Sequence, residues 1–405
     1  MYLENLSLTN FRNYSSLDLA LGPGPLVLWG DNAQGKSNLL EAIFLLATTK
    51  SARTGSDREL VRWEALNDPF AVTRIVGEVR RGGDSIRLEV ALAPDSSSQG
   101  AADPAAPIPS FRKQTRINGV PRRASDVVGQ LNAVIFSALD VDLVAGPPSQ
   151  RRRYIDLTNS QVDRPYLRAL QRYGRVLTQR NHLLRLIREG KGQREELSFW
   201  DRQLVDEGSY IYMQRRAMIQ KLAGLAGAIY SELTGGAESF EMIYLPNPSG
   251  LAREGGESED LDQIKEMLRN HLAFSLDREV AQGATVVGPH RDDLQFLVDA
   301  RDMGLYGSRG QQRTIAAALK LAEANFLMRK TGEDPVLLLD DILSELDALR
   351  RQQVMEVALS NQQTILTTTD LDRVDRGFLS RATVLKVEGG RLSSVSTAGD
   401  EGPVA

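Results

Sequence analysis

The eight residues from Gly30 to Ser37, GDNAQGKS, fill every fixed position of the phosphate-binding loop G-x-x-x-x-G-K-[ST]. Such a loop works in one setting. A buried strand runs in, glycines turn successive backbone N–H groups inward around phosphate oxygens, and a helix leaves with its positive end facing the anion. The flanks supply both elements: Leu26-Val27-Leu28-Trp29 reads as an apolar strand, and Leu39, Leu40, Ile43, Phe44 and Ala47 recur at helical spacing. The expected cradle is Gly30, Asp31, Asn32, Ala33, Gln34, Gly35, Lys36, Ser37 and Asn38, with Lys36 reaching the β/γ oxygens and the Ser37 hydroxyl on Mg²⁺. A nucleotide-binding α/β fold is the expectation.

A second constellation lies about three hundred residues on, where Val336-Leu337-Leu338-Leu339 is a buried-strand run ending in Asp340 and Asp341. A P-loop enzyme places one such carboxylate beside the metal held by the loop hydroxyl. Asp340 is the metal-side candidate, together with Ser37. Asp341, one residue on, is expected to face the attacking water as the catalytic base. Read alone, the run is a core strand ending in a solvated acidic turn; Lys36 in the same chain favours the catalytic reading.

With 405 residues the chain can hold two or three structural units. It has no cysteine, and its first residues carry Glu4 and Arg12 without an apolar stretch, so a disulfide framework and a secretory signal are not expected and the cytoplasm is. Its apolar runs fall well short of the ~20 residues that cross a bilayer. A net charge of -4 excludes a uniformly basic nucleic-acid binder, so any contact with DNA needs a local positive surface. Between Arg151 and Arg194 twelve Arg and Lys stand against Asp156, Asp163 and Glu189.

Along the chain, Tyr2 to Phe11 reads as an edge strand, Ser16 to Leu21 as a second, and Thr73 to Val79 with Ser85 to Leu92 as a hairpin, which together predict an antiparallel sheet. Pro94 to Ser110 is aperiodic and is expected to be a disordered loop. Asn118-Gly119 marks a turn, and Leu131 to Phe136 a further strand. From Arg151 the period becomes helical, with Leu167, Leu170, Leu177, Leu184 and Ile187 on one stripe and Arg164, Arg168, Arg172 and Arg175 on another. Pro246 to Gly256 reads as a loop. The predicted organisation is a first ATPase part over 1–150, a helical insertion over 151–282, a second ATPase part over 283–390 and a flexible tail over 391–405.

Leu305 to Thr314, ahead of a helix over Ile315 to Met328, resembles the signature motif of ABC-type ATPases, with Ser308, Gly310 and Gln311 in its Ser, second Gly and Gln positions. A hydroxyl and backbone N–H groups at a helix start form an anion site. The resemblance implies that this site, Ser308 above all, caps the γ-phosphate of ATP held by a second subunit, so that ATP joins a homodimer. Ser344-Glu345-Leu346-Asp347 is similar to the D-loop, while Thr367 to Asp370 lacks the switch His of transporters. The fold implied is an ABC-type P-loop ATPase head, a mixed sheet with flanking helices plus an antiparallel subdomain, with an inserted mainly helical arm lobe.

The chain as a whole resembles the RecF family of recombination-mediator ATPases, related to the heads of Rad50 and SMC proteins. The resemblance rests on Asn10-Phe11-Arg12-Asn13-Tyr14, the P-loop, Ser51-Ala52-Arg53-Thr54, Arg151 to Asp156, Tyr173 with Gln179-Arg180-Asn181, Gly288 to Asp293, Gly307 to Thr314 and Leu339 to Asp347. It departs at Ala138-Leu139-Asp140-Val141, where the family commonly has Pro-Glu-Asp-Leu.

The resemblance implies that Arg12 and Asn13 lie near the nucleotide, and that Arg151, Arg152, Arg164, Arg168, Arg172, Arg175 and Arg180 belong to one wall of a DNA channel. Asp341 in place of the usual Glu at the catalytic position points to slow turnover, and the resemblance implies a DNA-stimulated ATPase that clamps gapped or junction DNA and helps load RecA with RecO and RecR. The alternative is an ABC-type switch acting on a protein partner without clamping DNA. A transporter motor is disfavoured by the missing His, an SMC-type head by the short helical insertion, and a GTPase by the absence of Asn-Lys-x-Asp.

Overall fold

The structure, a computed structural model, describes residues 1–66, 68, 70–95, 110–252, 260–344 and 346–394. The readings placed on residues 96–109, 253–256, 345 and 395–405 lie outside the described residues. The chain divides into two compact units, Met1–Asp140 with Leu319–Ala405, and Val141–Ala318.

The first unit holds two sheets, each of six strands among the described residues. One is antiparallel, in the order β2 (Tyr14–Ala20), β1 (Tyr2–Phe11), β4 (Thr73–Arg81), β5 (Asp84–Pro94), β6 (Phe111–Ile117), β7 (Val120–Arg122). Asn118 and Gly119, both at positive φ (52° and 77°), make the β6–β7 turn. Tyr2 to Phe11 is not the edge strand that its partial alternation suggested. It lies between β2 and β4 and buries Leu3, Leu6, Leu8 and Phe11 while keeping polar residues on the other face.

The other sheet runs β15 (Arg391–Ser394), β14 (Thr383–Glu388), β3 (Gly24–Trp29), β13 (Gln363–Thr368), β12 (Val336–Asp340), β8 (Ala133–Ser137). All neighbours are parallel except the β14–β15 pair. Parallel strands are covered on both faces, so β12 reads as the apolar run Val336-Leu337-Leu338-Leu339, and every residue of β13 is buried, its Gln and Thr included. The helix Lys36–Thr48 packs against strands of both sheets, and Leu39, Leu40, Ile43 and Ala47 are fully buried.

The second unit is built on the helices Pro148–Ser160, Arg164–Arg188, Leu197–Thr234 and Leu261–Gln282. Asp163 caps the second of these by accepting from the Tyr166 N–H. The 38-residue helix Leu197–Thr234 is the longest; at 1.5 Å per residue it spans about 57 Å. Tyr166, Tyr173, Leu204, Ile211 and Leu268 are among the residues of its core.

A three-stranded antiparallel sheet, β11 (Arg301–Asp302), β10 (Asp293–Val298), β9 (Phe240–Leu245), completes this unit. Because β10 pairs with β9, the segment from Gly283 to Ala318 folds here, although the sequence pattern grouped it with the ATPase half. The unit is therefore longer at both ends than the expected 151–282. Among the described residues, no helix is long and apolar enough to cross a membrane.

Candidate functional site

β3 ends at Trp29, and the loop that follows turns through Gly30 (φ 150°), Ala33 (φ 64°) and Gly35 (φ 116°) before the helix opens at Lys36. These glycines are required by space as well as by φ. A Cβ on Gly30 would sit 2.4 Å from the Val387 carbonyl oxygen, and one on Gly35 would sit 2.6 Å from the Asn13 amide. The loop is held from outside its curve. The Asn13 side chain donates to the Gln34 carbonyl at 2.9 Å and accepts from Asn38 at 2.8 Å, and the buried Tyr14 hydroxyl donates to the Gly35 carbonyl at 3.0 Å. Asp31, Asn32 and Ala33 are exposed at the tip.

Lys36 is buried, and its ammonium donates to the carbonyls of Gly30 and Asp31. Burial lowers its pKa, opposed by the carboxylates of Asp341, Asp340 and Asp31. Those carboxylates lie within electrostatic reach of one ammonium, although Asp31 and Asp341 are 310 positions apart in the sequence.

The Ser37 hydroxyl donates to Asp340 Oδ1 at 2.7 Å. Thr367 Oγ1, opposite Asp340 in the β12–β13 register, donates to the same oxygen at 2.9 Å and accepts the Asp341 N–H at 2.9 Å. Asp341 takes a left-handed backbone (φ 50°), so the chain turns sharply where the second carboxylate leaves the strand. A hydroxyl and a carboxylate converging at a P-loop are hard oxygen donors of the kind Mg²⁺ takes while keeping phosphate and water oxygens as further ligands. Among the described residues no group of three or more His, Cys, Asp or Glu side chains gathers at one point.

Asn13 touches this loop directly, and Arg12 reaches the helix that leaves it. Arg12 makes a two-point contact with Glu41, Nε and Nη2 each donating at 2.9 Å, and Glu41 also accepts from the Ser51 hydroxyl. Arg12, Asn13, Asn38, Arg53 and Trp63 help line a cavity of about 530 Å³. Thr367 and Glu41 are functional candidates that the sequence reading did not single out. Their signal is the strand register and the spacing from Arg12, neither of which is visible without pairing the elements.

In the second unit, Ser308 and Gln311 cap the helix Arg309–Thr331 reciprocally. The Ser308 N–H and hydroxyl donate to Gln311 Oε1, and the Gln311 N–H donates to Ser308 Oγ at 3.3 Å. Ser308 and Gly310 are exposed.

The arginine row divides in two. Arg164, Arg168, Arg172 and Arg175 are exposed on the helix Arg164–Arg188, and Arg172 is held by Glu207 at two points. Arg151 and Arg180 do not belong to a DNA-facing wall, contrary to expectation. Arg180 is fully buried, ion-paired to Asp201 at 2.6 Å and Glu279 at 2.7 Å, and Arg151 is buried and paired at both ends with Asp293. A cation inside a protein needs such partners, and once held by them it cannot reach phosphates outside. Arg152 is half-buried and donates to the Asp292 carbonyl at 2.7 Å. Burial, with the neighbouring Arg215 charge, pushes the Arg152 pKa down. Arg215, itself buried, binds Asp156 and Asp292, both at 2.8 Å, which accounts for the acidic residues in those motifs as internal partners.

The model of the RecF/RecN/SMC N terminal domain matches residues 2–388. The chain is 45% identical over 404 residues to the protein named DNA replication and repair protein RecF of Chloroflexus aurantiacus, covering 97% of this chain and 99% of that one. The protein of the same name from Chloroflexus aggregans is 44% identical with the same coverage. Among solved structures, the chain is similar to one described as the recombination mediator protein RecF with ATP in the RecFOR pathway, with a TM-score of 0.84, 31% identity and 98% of each chain covered. With a family model over nearly its full length, and with the P-loop, the paired carboxylates and the capped signature helix on its own residues, this chain belongs to the RecF family of ABC-type ATPases.

Proposed function

We propose that this chain is a slow, DNA-stimulated ATPase of cytoplasmic DNA repair and recombination. In this reading ATP closes two copies around DNA at a gap or single-strand/double-strand junction, and hydrolysis reopens them. The observation that carries the reading is the Ser37–Asp340 contact, which joins the phosphate loop to the paired carboxylates.

The P-loop amides from Gly30 to Asn38 and the Lys36 ammonium bind the phosphates, with Arg12 and Asn13 at the loop's flank. Ser37 and Asp340 would hold Mg²⁺, which when bound supplies charge neutralisation between the β- and γ-phosphates. Asp341 orients a water for in-line attack on the γ-phosphorus and takes its proton as ADP departs. Ser308, Gly310 and Gln311 of a second copy close over the γ-phosphate, so ATP is required for the dimer. The exposed face of Arg164, Arg168, Arg172 and Arg175 meets phosphates of duplex DNA. The closed form works with RecR and RecO to load RecA, which accords with the pathway named for the similar solved structure.

One observation favours a second reading. Arg151 and Arg180 are buried and Arg152, half-buried, is hydrogen-bonded to the Asp292 carbonyl, which thins the positive face available to DNA. An ATP switch acting on a protein partner fits that thinner face.

Fluorescence anisotropy of a labelled gapped duplex, titrated with the full chain with and without ATP and Mg²⁺ at fixed moderate salt, separates the two. Binding tightened by ATP supports the clamp. An absence of binding in both states removes direct DNA contact and leaves the second reading.

A further inference from the structure

The signature helix is tied to the end of the longest helix through a single carboxylate. Gln311 Nε2 donates to Glu238 Oε1 at 3.0 Å, and the Tyr230 hydroxyl donates to Glu238 Oε2 at 2.5 Å. Tyr230 is fully buried near the end of the helix Leu197–Thr234. That helix stops at Gly235 and Gly236, both at positive φ (65° and 74°), and Glu238 stands on the short link from there into β9. Phe240, the first residue of β9, stacks on the Tyr230 ring at 5.1 Å between centroids and also faces Phe296 of β10. The other end of the long helix is stitched to the arginine-bearing helix Arg164–Arg188 by Arg172–Glu207 and Arg180–Asp201.

These contacts form one continuous path inside the second unit. It runs from the exposed arginines through the paired helices to Tyr230, Glu238 and Gln311. Each Glu238 oxygen serves a different element, so a slide of the long helix against the signature helix must stretch one of two charge-assisted hydrogen bonds, whose strength falls steeply with geometry. Gln311 in turn fixes the Ser308 hydroxyl through their reciprocal cap.

We propose that Glu238 is a positioning residue that couples the arm to the signature motif. DNA held on the arginine face biases the long helix, and Glu238 passes that bias to the aim of Gln311 and Ser308. The inference rests on the reading of an ATP switch whose signature acts on a second copy's nucleotide and whose arm meets DNA. It adds the residue through which the two are linked.

The test is ATP turnover by the full chain with Mg²⁺, with and without gapped duplex, for the parent and for Glu238→Ala, Glu238→Gln and Tyr230→Phe. ATP affinity and the thermal transition are measured alongside. Glu238→Ala is expected to cut the ratio of DNA-stimulated to basal turnover about fivefold, the factor that one such hydrogen bond corresponds to, with ATP affinity kept. Glu238→Gln, which still offers a carbonyl to one donor, is expected to recover part of the ratio. A purely structural role would lower the thermal transition and leave the ratio alone. A full ratio in folded Glu238→Ala overturns this inference and leaves the parent reading standing. A parent without DNA stimulation removes the reading of a DNA-responsive arm, and the inference with it. Should Glu238→Ala lack a folding transition, Tyr230→Phe, which deletes one hydroxyl, decides: an unchanged ratio there overturns the coupling.

Discussion

Ser37 and Asp340 stand 303 positions apart in the chain, and the Ser37 hydroxyl donates to the Asp340 carboxylate across 2.7 Å. The contact closes over an intervening strand, because β13 lies between β3, which feeds the loop, and β12, which carries the aspartates. Thr367 at the end of β13 fills the gap, hydrogen-bonded to both Asp340 and the Asp341 backbone. Two strand ends and a helix start are thereby fixed together, so the aim of the two carboxylates depends on the Thr367 hydroxyl.

Thr367→Val keeps the shape of that side chain and removes its oxygen. The Asp341 N–H then lacks its partner and Asp340 loses one donor, at a cost of roughly 1–3 kcal/mol in stability. Turnover is expected to fall about tenfold as the carboxylates lose their aim, the factor matching about 1.4 kcal/mol in the barrier. Urea unfolding and steady-state ATPase assays on the same preparation check both; full turnover in a destabilised variant would make Thr367 structural only.

Asp341→Asn removes the proton acceptor while keeping size and hydrogen-bonding capacity. Loss of a general base lowers turnover by roughly 10²–10⁴-fold. ATP binding is expected to persist, so the variant accumulates as an ATP dimer measurable by light scattering on a sizing column. Near-parental turnover would move the base elsewhere.

Ser308→Arg places a bulky cation at the exposed start of the signature helix. The P-loop lies in the other unit, so the variant should bind a fluorescent ATP analogue with parental affinity and remain monomeric with ATP and Mg²⁺ in sedimentation velocity. Parental dimer formation would sink the capping of a second copy's nucleotide.

Local patterns carried more of this molecule than long-range ones. The P-loop, the run ending in Asp340 and the start of the signature helix could be read because strand, loop and helix there are adjacent in sequence. Arg180 could not, since its partners Asp201 and Glu279 come 21 and 99 residues later and nothing near Arg180 distinguishes an inward cation from an outward one. The β1 strand was misplaced for a related reason: edge and inner strands differ by pairing with β4, more than sixty residues downstream. The segment Thr367 to Asp370 stands out in sequence only for the His it lacks, whereas the hydrogen bonds of Thr367 follow from a register that only the assembled sheet defines.

His290 offers a pH test. Burial lowers its pKa from 6.5 to about 4, and it is wedged between the Tyr173 hydroxyl at 2.7 Å and the Thr285 carbonyl at 3.1 Å. The unfolded chain takes up a proton on this ring near pH 6.5, whereas the folded chain does not until about pH 4. Stability from the neutral ring is therefore complete above 6.5 and is lost as pH falls from there toward 4, by up to roughly 3 kcal/mol. Melting curves at pH 7 and pH 5 should show a larger fall in Tm for the parent than for His290→Asn; equal falls would assign the acid sensitivity to other groups.

The two classes of arginine should separate cleanly. Replacing Arg164, Arg168 and Arg175 by Ala touches only exposed side chains on one helix, so the fold should keep its Tm. If each meets a phosphate, the slope of log affinity for duplex against log salt should become shallower by about 2.7, at 0.9 per phosphate released. Arg180→Ala does the opposite. It strands the fully buried Glu279 carboxylate without its partner, a change that costs about 3–5 kcal/mol and shows as a lower Tm. Any DNA defect in Arg180→Ala should vanish when measured below its melting transition, because the lost charge was never at the surface. A triple variant with an unchanged salt slope would take the helix Arg164–Arg188 out of the DNA interface, and an Arg180→Ala protein with parental stability but weakened DNA binding would show that this arginine reaches the surface in solution.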